Sequence, residues 1–396
     1  MRLDPDAFTG DAFPAGFLWG AATSAHQTEG NNTNNDWWQR EHAPDTRIAE
    51  PSGDACDSYH RYREDITLLA DLGFNTYRFS IEWSRIEPEN GFVARAEIDH
   101  YRRMIATCHE HGLTPFVTLH HFTLPRWAAA LGGWANPDAP DLFARYTETV
   151  LPILADGVEW ACTINEPNMI AYPIGADFLS AEPDPHIAAQ LVRAHQRSRA
   201  ILTAADIKSG WSVATQAYQA EPGCERIAHE HGYPREDYFL EAAAGDDYVG
   251  VQAYTRTIIG PDGPRPVPHG AETTLTGWEY YPDAAAIGVR NAWKLTGHTP
   301  VIVTENGIAT ADDTRRIDYT RAALTALHDT LTDGIDLRGY VHWSALDNYE
   351  WGSYLPTFGL IAVDHHDFTR TPRPSAHWLG QTAKSNSLQT PDPAKH

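Results

Sequence analysis

VIVTENG (residues 301–307) is a short, β-branched apolar run that stops on a glutamate and an Asn-Gly turn signal. CTINEPN (162–168) has the same build, a strand-like run closing on Asn165-Glu166. Pro167 fixes its own φ and biases the residue before it away from helix, so Glu166 is expected on a stiff, extended strand end. Outward from these two, similar runs recur over 17–25, 76–81, 114–120, 159–165, 211–216, 248–254, 300–304 and 337–344. Amphipathic stretches such as 59–72 and 318–332 lie between them, with apolar or aromatic residues along one stripe. Strands alternating with helices predict a parallel α/β sheet, and eight repeats predict a single closed (β/α)8 TIM barrel. An open doubly wound sheet also alternates, but it normally shows a Gly-rich turn after its first strand, and none is present. No linker or charge block divides the chain, so 1–384 is read as one barrel domain and SNSLQTPDPAKH (385–396) as a flexible tail.

Composition narrows the partners. The formal net charge is −23, and Lys208, Lys294, Lys384 and Lys395 are the only lysines. Such a surface repels phosphate backbones and anionic lipid, so neither nucleic acid nor a membrane is expected as partner. Few lysines beside many arginines fit GC-rich coding; a second reading is adaptation to high salt, in which excess surface carboxylate maintains hydration. No apolar run approaches the roughly 18 residues of a membrane span. The start, MRLDPDAFTG, lacks a basic n-region and apolar stretch, so a cytoplasmic location is expected. The four cysteines are scattered without CxxC spacing, and Cys162 reads as a buried thiol.

Barrel geometry brings the C-terminal strand ends to one face, where chemistry resides. Those ends carry Gln27, Arg78, His120 and His121, Asn165 and Glu166, Tyr254, Glu305 and Asn306, and Trp343. Nearly all are polar or aromatic, a choice that a purely structural strand end does not require. Two glutamates at one mouth suit cleavage of a glycosidic bond. One stays protonated to donate to the leaving oxygen, and the other stays ionised to attack the anomeric carbon. The competing reading, that each glutamate caps a helix or pairs with an arginine, serves one glutamate more easily than both. His120 and His121 are adjacent on a strand and point to opposite faces, so they do not share a metal, and His120 reads as structural. Two carboxylates suffice for the reaction, so no metal or organic cofactor is expected.

The chain resembles family 1 glycoside hydrolases, the β-glucosidase family, over about residues 13 to 380. The resemblance rests on FPAGFLWGAATSAHQTEG (13–30), DITLLADLGFNTYRFSIEWSRIEPENG (65–91), TINEPN (163–168), TENG (304–307) and GYVHWSALDNYEWGSYLPTFGLIAVD (339–364). It implies a retaining exo-β-glycosidase acting on terminal β-D-glucosides, with β-galactosides or β-fucosides as further candidates. Glu166 would be the acid/base and Glu305 the nucleophile. Arg78 would lower the pKa of Glu305 by Coulombic attraction, and Tyr254 would hydrogen-bond it. Gln27, His121, Asn165, Glu350 and Trp351 would bind sugar hydroxyls, Asn165 the 2-hydroxyl, with Trp343 as platform for the ring. Members acting on 6-phosphosugars replace the acid at position 350 and place a lysine nearby. Here Glu350 would repel a phosphate, so an unphosphorylated sugar is expected.

Three departures concern the leaving group rather than the reaction class. Phe122 stands where the family usually has Trp, Gln252-Ala253 replaces Asn-Tyr, and 221–246 looks trimmed. A transglycosidase using the same intermediate and a non-catalytic sugar-binding barrel are the alternatives. No sequence feature fixes the oligomeric state.

Overall fold

A computed structural model of the chain describes residues 12–173, 175 and 180–388. Eight parallel strands close into a barrel: β1 (Leu18–Ala22), β2 (Thr76–Ser80), β3 (Thr114–His120), β4 (Trp160–Asn165), β5 (Lys208–Thr215), β6 (Val249–Ala253), β7 (Val301–Asn306) and β8 (Leu337–Trp343). Each pairs with its sequence neighbours, and β1 closes the ring against β8, Leu18 opposite Gly339 through Ala22 opposite Trp343. Every predicted run becomes one of these strands. The edges move: β5 begins at Lys208, β7 runs on through Glu305, and β1 stops at Ala22, so Gln27 sits on the short helix Ala25–Thr28.

The strands are buried on both faces, which is why they read as continuous apolar and small residues rather than as alternation. Inside the barrel, Leu18, Phe116, Trp160, Cys162, Tyr248 and Ile302 pack together. Phe116 and Tyr248 meet edge-on at 5.4 Å although their strands are not neighbours, so this contact crosses the interior. The outer helices lay one apolar stripe on the strands, as Ser58–Leu72 does with Ile66 and Leu69, both at most 1% exposed. All four cysteines are unpaired and buried.

The boundary expected at Ser385 falls at the end of a helix instead. Helix Pro374–Ser385 runs through it, and Asn386 then binds the first strand's approach. The Asn386 side chain accepts from Trp19 Nε1 at 2.8 Å and donates to the Phe13 carbonyl at 2.7 Å. A polar residue that reads as tail is thereby a clasp between the two ends of the described chain. Residues 389–396 lie outside the described residues. Among the described residues, no helix is long and apolar enough to cross a membrane.

Candidate active site

Glu305 lies on β7, buried at 4% exposure, with both carboxylate oxygens occupied. Arg78, from β2, donates from Nη1 to Glu305 Oε1 at 2.6 Å. Tyr254, just past β6, donates its hydroxyl to Oε2 at 2.6 Å. The other arm of Arg78 donates to Asn165 Oδ1 at 2.5 Å, and Gln252 Nε2 donates to the same oxygen at 2.8 Å. The Asn165 amide oxygen is therefore committed, while its Nδ2 reaches His121 Nε2 only at 3.3 Å. Tyr254 is itself fixed from behind, its carbonyl accepting from the Tyr319 hydroxyl at 2.7 Å.

Glu166 follows β4 directly, and its backbone is left-handed (φ 47°, ψ 56°) rather than extended. Pro167 disfavours the right-handed helical region for the preceding residue, but two other regions stay open to it. A register shift between β4 and β5 after Cys162, together with the Glu166 N–H bond to the Ser212 carbonyl at 2.8 Å, selects the left-handed one. The short helix Pro167–Ile170 starts immediately afterwards. A non-glycine residue held there costs about 1–2 kcal/mol. Unlike Glu305, the Glu166 carboxyl has no hydrogen-bond partner among the described residues.

The floor of the mouth comes from the segment after β8. Glu350 accepts from Trp343 Nε1 at 3.0 Å and lies 3.4 Å from Gln27 Nε2. Gln27 also donates to Asn348 Oδ1 and to the Tyr349 carbonyl, both at 3.0 Å. Gly307 lets β7 approach β8: a Cβ there would lie 2.0 Å from the Trp343 carbonyl oxygen. The Trp343 and Trp351 rings both lie nearly parallel to His121, at 5.9 and 6.2 Å. Gln27, Arg78, His121, Asn165, Tyr254, Glu305, Trp343, Glu350 and Trp351 are thus joined through one set of contacts, and Glu166 faces them through the charges of Glu305, Arg78 and Glu350. His120 points away from them, accepting from Trp134 Nε1 at 3.3 Å.

Similarity to known proteins agrees with this arrangement. The model of glycosyl hydrolase family 1 matches residues 9–247 and 252–388. The chain belongs to glycosyl hydrolase family 1. A 1,4-beta-D-glucan glucohydrolase of Thermotoga neapolitana is 32% identical over 442 residues, spanning 95% of this chain and 99% of that protein. Beta-glucosidase A of Thermotoga maritima is 32% identical over 445 residues, with 95% and 99% covered. Among solved structures, β-glycosidase BGL167 superposes with a TM-score of 0.89 at 45% identity, covering 96% of this chain and 100% of that one. The protein is a glycoside hydrolase on the TIM-barrel fold, in a family whose members retain anomeric configuration.

Electrostatics in this glycosidase separate the two central carboxyls. Burial raises Glu166 well above the ordinary carboxylate range, and the neighbouring charge of Glu305 pushes it the same way. Burial also raises Glu305, against the opposing pull of Arg78, Tyr254 and Gln252. The expected net lowering of Glu305 is therefore not found. Arg78 does attract the charge, but desolvation of a fully enclosed carboxylate outweighs it. Glu350 rises to about 8, chiefly by burial and then by the charge of Glu305. A largely neutral Glu350 weakens the argument from repulsion of phosphate. What remains is that 351–359 offers no lysine or arginine to receive one. Burial and Arg78 together hold His121 neutral.

Several contributors carry no motif of their own. Gln252 lies on β6 two residues before Tyr254, which follows the strand's end, and that parity marks it as facing the same way. Trp351, itself at φ 48°, sits among Trp37 (4.7 Å), Phe122 (5.0 Å) and His26 (5.7 Å). His26 is in turn clamped by Glu41 at 2.9 Å and Asn35 at 2.8 Å. Burial works to raise the Glu41 pKa, but bonds from His26 and Ser52 outweigh it and hold it low. Among the described residues, no group of His, Cys, Asp or Glu is arranged to hold a metal.

Proposed function

We propose that this enzyme is an exo-acting β-glucosidase that hydrolyses terminal, unphosphorylated β-D-glucosides by double displacement. In this reading Glu305 is the nucleophile and Glu166 the acid/base. One observation carries it: Glu305 has a donor on each oxygen, from Arg78 and Tyr254, whereas Glu166 has none and is raised further. The charged form is stabilised where attack needs it, and the protonated form persists where donation needs it.

Glu166 gives its proton to the glycosidic oxygen while Glu305 attacks the anomeric carbon. The resulting ester removes the negative charge beside Glu166, so its pKa falls and it becomes the base that activates water. Asn165 Nδ2, which has a second N–H besides the one aimed at His121 Nε2, is the donor for the 2-hydroxyl, where a bond strengthens as the oxocarbenium-like state forms. Gln27, His121 and Trp351 receive the remaining hydroxyls with Glu350, over the Trp343 ring. The names of the relatives support the choice of β-glucoside. For location we propose the cytoplasm, in keeping with four unpaired thiols.

The test is a panel of nitrophenyl glycosides, with the first released anomer followed by proton NMR. β-Glucose should appear first from the β-glucoside. Release of α-glucose first, or cleavage of no β-glycoside, defeats the proposal. Faster turnover of a 6-phosphoglucoside than of the plain glucoside would overturn the unphosphorylated assignment.

A further inference from the structure

Both central glutamates follow a break in strand alternation. Along a regular strand, residues three apart face opposite ways. Cys162 nevertheless packs inside the barrel, and Asn165, three residues on, binds Arg78 and Gln252 in the mouth. Ile302 and Glu305 stand in the same relation on β7. From Cys162 to Asn165, β4 advances three residues while β5 advances two, from Gly210 to Ser212. From Val303 to Glu305, β7 advances two residues while β6 advances one. Among the described residues, the barrel register shifts only where β4 meets β5 and where β7 meets its two neighbours. Such an extra residue leaves the ladder locally unpaired and re-aims the side chains after it.

On β4 the extra residue is held from outside. The Thr163 hydroxyl lies 2.7 Å from Nδ1 of His195, on the outer helix Pro185–Ala204. His195 Nε2 lies 3.0 Å from Asp246 Oδ2, and Nε of Arg199, one turn further along the helix, lies 2.9 Å from the other oxygen. A carboxylate only accepts, so in a neutral ring this contact favours the hydrogen on Nε2 and leaves Nδ1 to accept from Thr163. The ring stacks on Trp211 at 4.3 Å, and Trp211 Nε1 donates to the Phe239 carbonyl at 3.1 Å. Thr163 and His195 are fully buried, and Asp246 is 8% exposed. The order Thr-His-Asp is that of a nucleophilic triad, but no substrate reaches a hydroxyl enclosed between a strand and its helix. These contacts hold the strand rather than react.

We propose that His195 is a positioning residue for the acid/base: it pins the Thr163 hydroxyl, and with it the bulge that turns Asn165 and Glu166 into the mouth. The proposal rests on the reading of Glu166 as acid/base. A misplaced acid matters most when the leaving group is poor. The test therefore compares kcat/KM for phenyl and 2,4-dinitrophenyl β-D-glucoside, the second needing little protonation as it departs. In His195→Phe, which keeps a flat ring but removes both nitrogens, the phenyl-to-dinitrophenyl ratio should fall about 10-fold. Thr163→Val removes the same bond from the strand side and should have the same effect, and it carries the test if His195→Phe does not fold. The double variant should fall no further than either single one, because both remove one bond. His195→Asn, which keeps a polar atom near the Nδ1 position, should restore most of the ratio.

Equal losses on both substrates overturn the proposal, because they report only a loosened fold. So does an unchanged ratio in folded Thr163→Val, or a double variant whose losses multiply. Glu166→Gly is the control and should lower the same ratio further than any of these. If it leaves the ratio unchanged, the acid/base reading fails, and not the role of His195.

Discussion

Tyr254→Phe removes one oxygen and leaves the ring against Trp278 and Phe358 at 5.7 and 5.8 Å. The lost contact is the 2.6 Å hydroxyl bond to Glu305 Oε2 in a buried setting. A hydrogen bond to a charged group contributes about 1.5–3 kcal/mol. At about 1.36 kcal/mol per pKa unit, Glu305 should then rise by roughly 1–2 units. The sign follows from the proposed role. As the proposed nucleophile Glu305 must be ionised in the free enzyme, and the variant disfavours the ionised form. Activity is therefore lost at a higher pH than in the native enzyme as the solution is acidified. Profiles of kcat/KM against pH with 4-nitrophenyl β-D-glucoside read this directly. The acid limb should move up by about 1–2 pH units, while the alkaline limb, governed by Glu166, stays nearly in place. An acid limb that does not move, in a variant that melts like the native protein, would refute the reasoning. It would mean that Tyr254 touches Glu305 without supporting its charge.

Other expectations follow from the same contacts. Glu166→Gly should abolish hydrolysis of unactivated glucosides yet raise stability by about 1 kcal/mol, because glycine adopts the left-handed backbone freely. Urea unfolding checks this, and a lower midpoint would show that the φ of 47° carries no strain. Glu41→Gln should loosen His26 and the Trp351 ring stacked on it, raising KM roughly 5-fold, equivalent to about 1 kcal/mol, with little change in kcat. A fall in kcat at constant KM would contradict that positioning role. Tyr349→Lys should leave the preference for plain glucoside over 6-phosphoglucoside intact, because its hydroxyl reaches the Glu50 carbonyl at 2.9 Å rather than Glu350. Competition between the two sugars measures it, and a reversal would place the sugar's 6-position beside residue 349.

The barrel was legible because each strand is a compact run of β-branched and small residues, and because strand ends such as Arg78, Asn165 and Glu305 share one face. Gln252 was legible only in part. It appeared as a departure from a pattern, although its spacing from Tyr254 places both on one side of the strand. The left-handed backbone of Glu166 was hidden, because a following proline disfavours one region without choosing between those remaining. That choice belongs to Ser212, on another strand. The net upward shift of Glu305 was hidden for a related reason. Arg78 announces attraction in the sequence, whereas desolvation depends on everything packed around the site. The surroundings of Trp351 draw on positions 26, 37, 121 and 122, which only folding brings together. Asn386 misled as a tail residue because its two bonds reach residues at the opposite end of the described chain.

The division of labour between the two glutamates is tested most directly by Glu305→Gly supplied with azide and 4-nitrophenyl β-D-glucoside. With the nucleophile gone, azide enters from the face that Glu305 occupied while Glu166 still assists departure, and the product should be α-glucosyl azide. Recovery of β-glucosyl azide would contradict the account, because it would make Glu166 the nucleophile and Glu305 the acid/base.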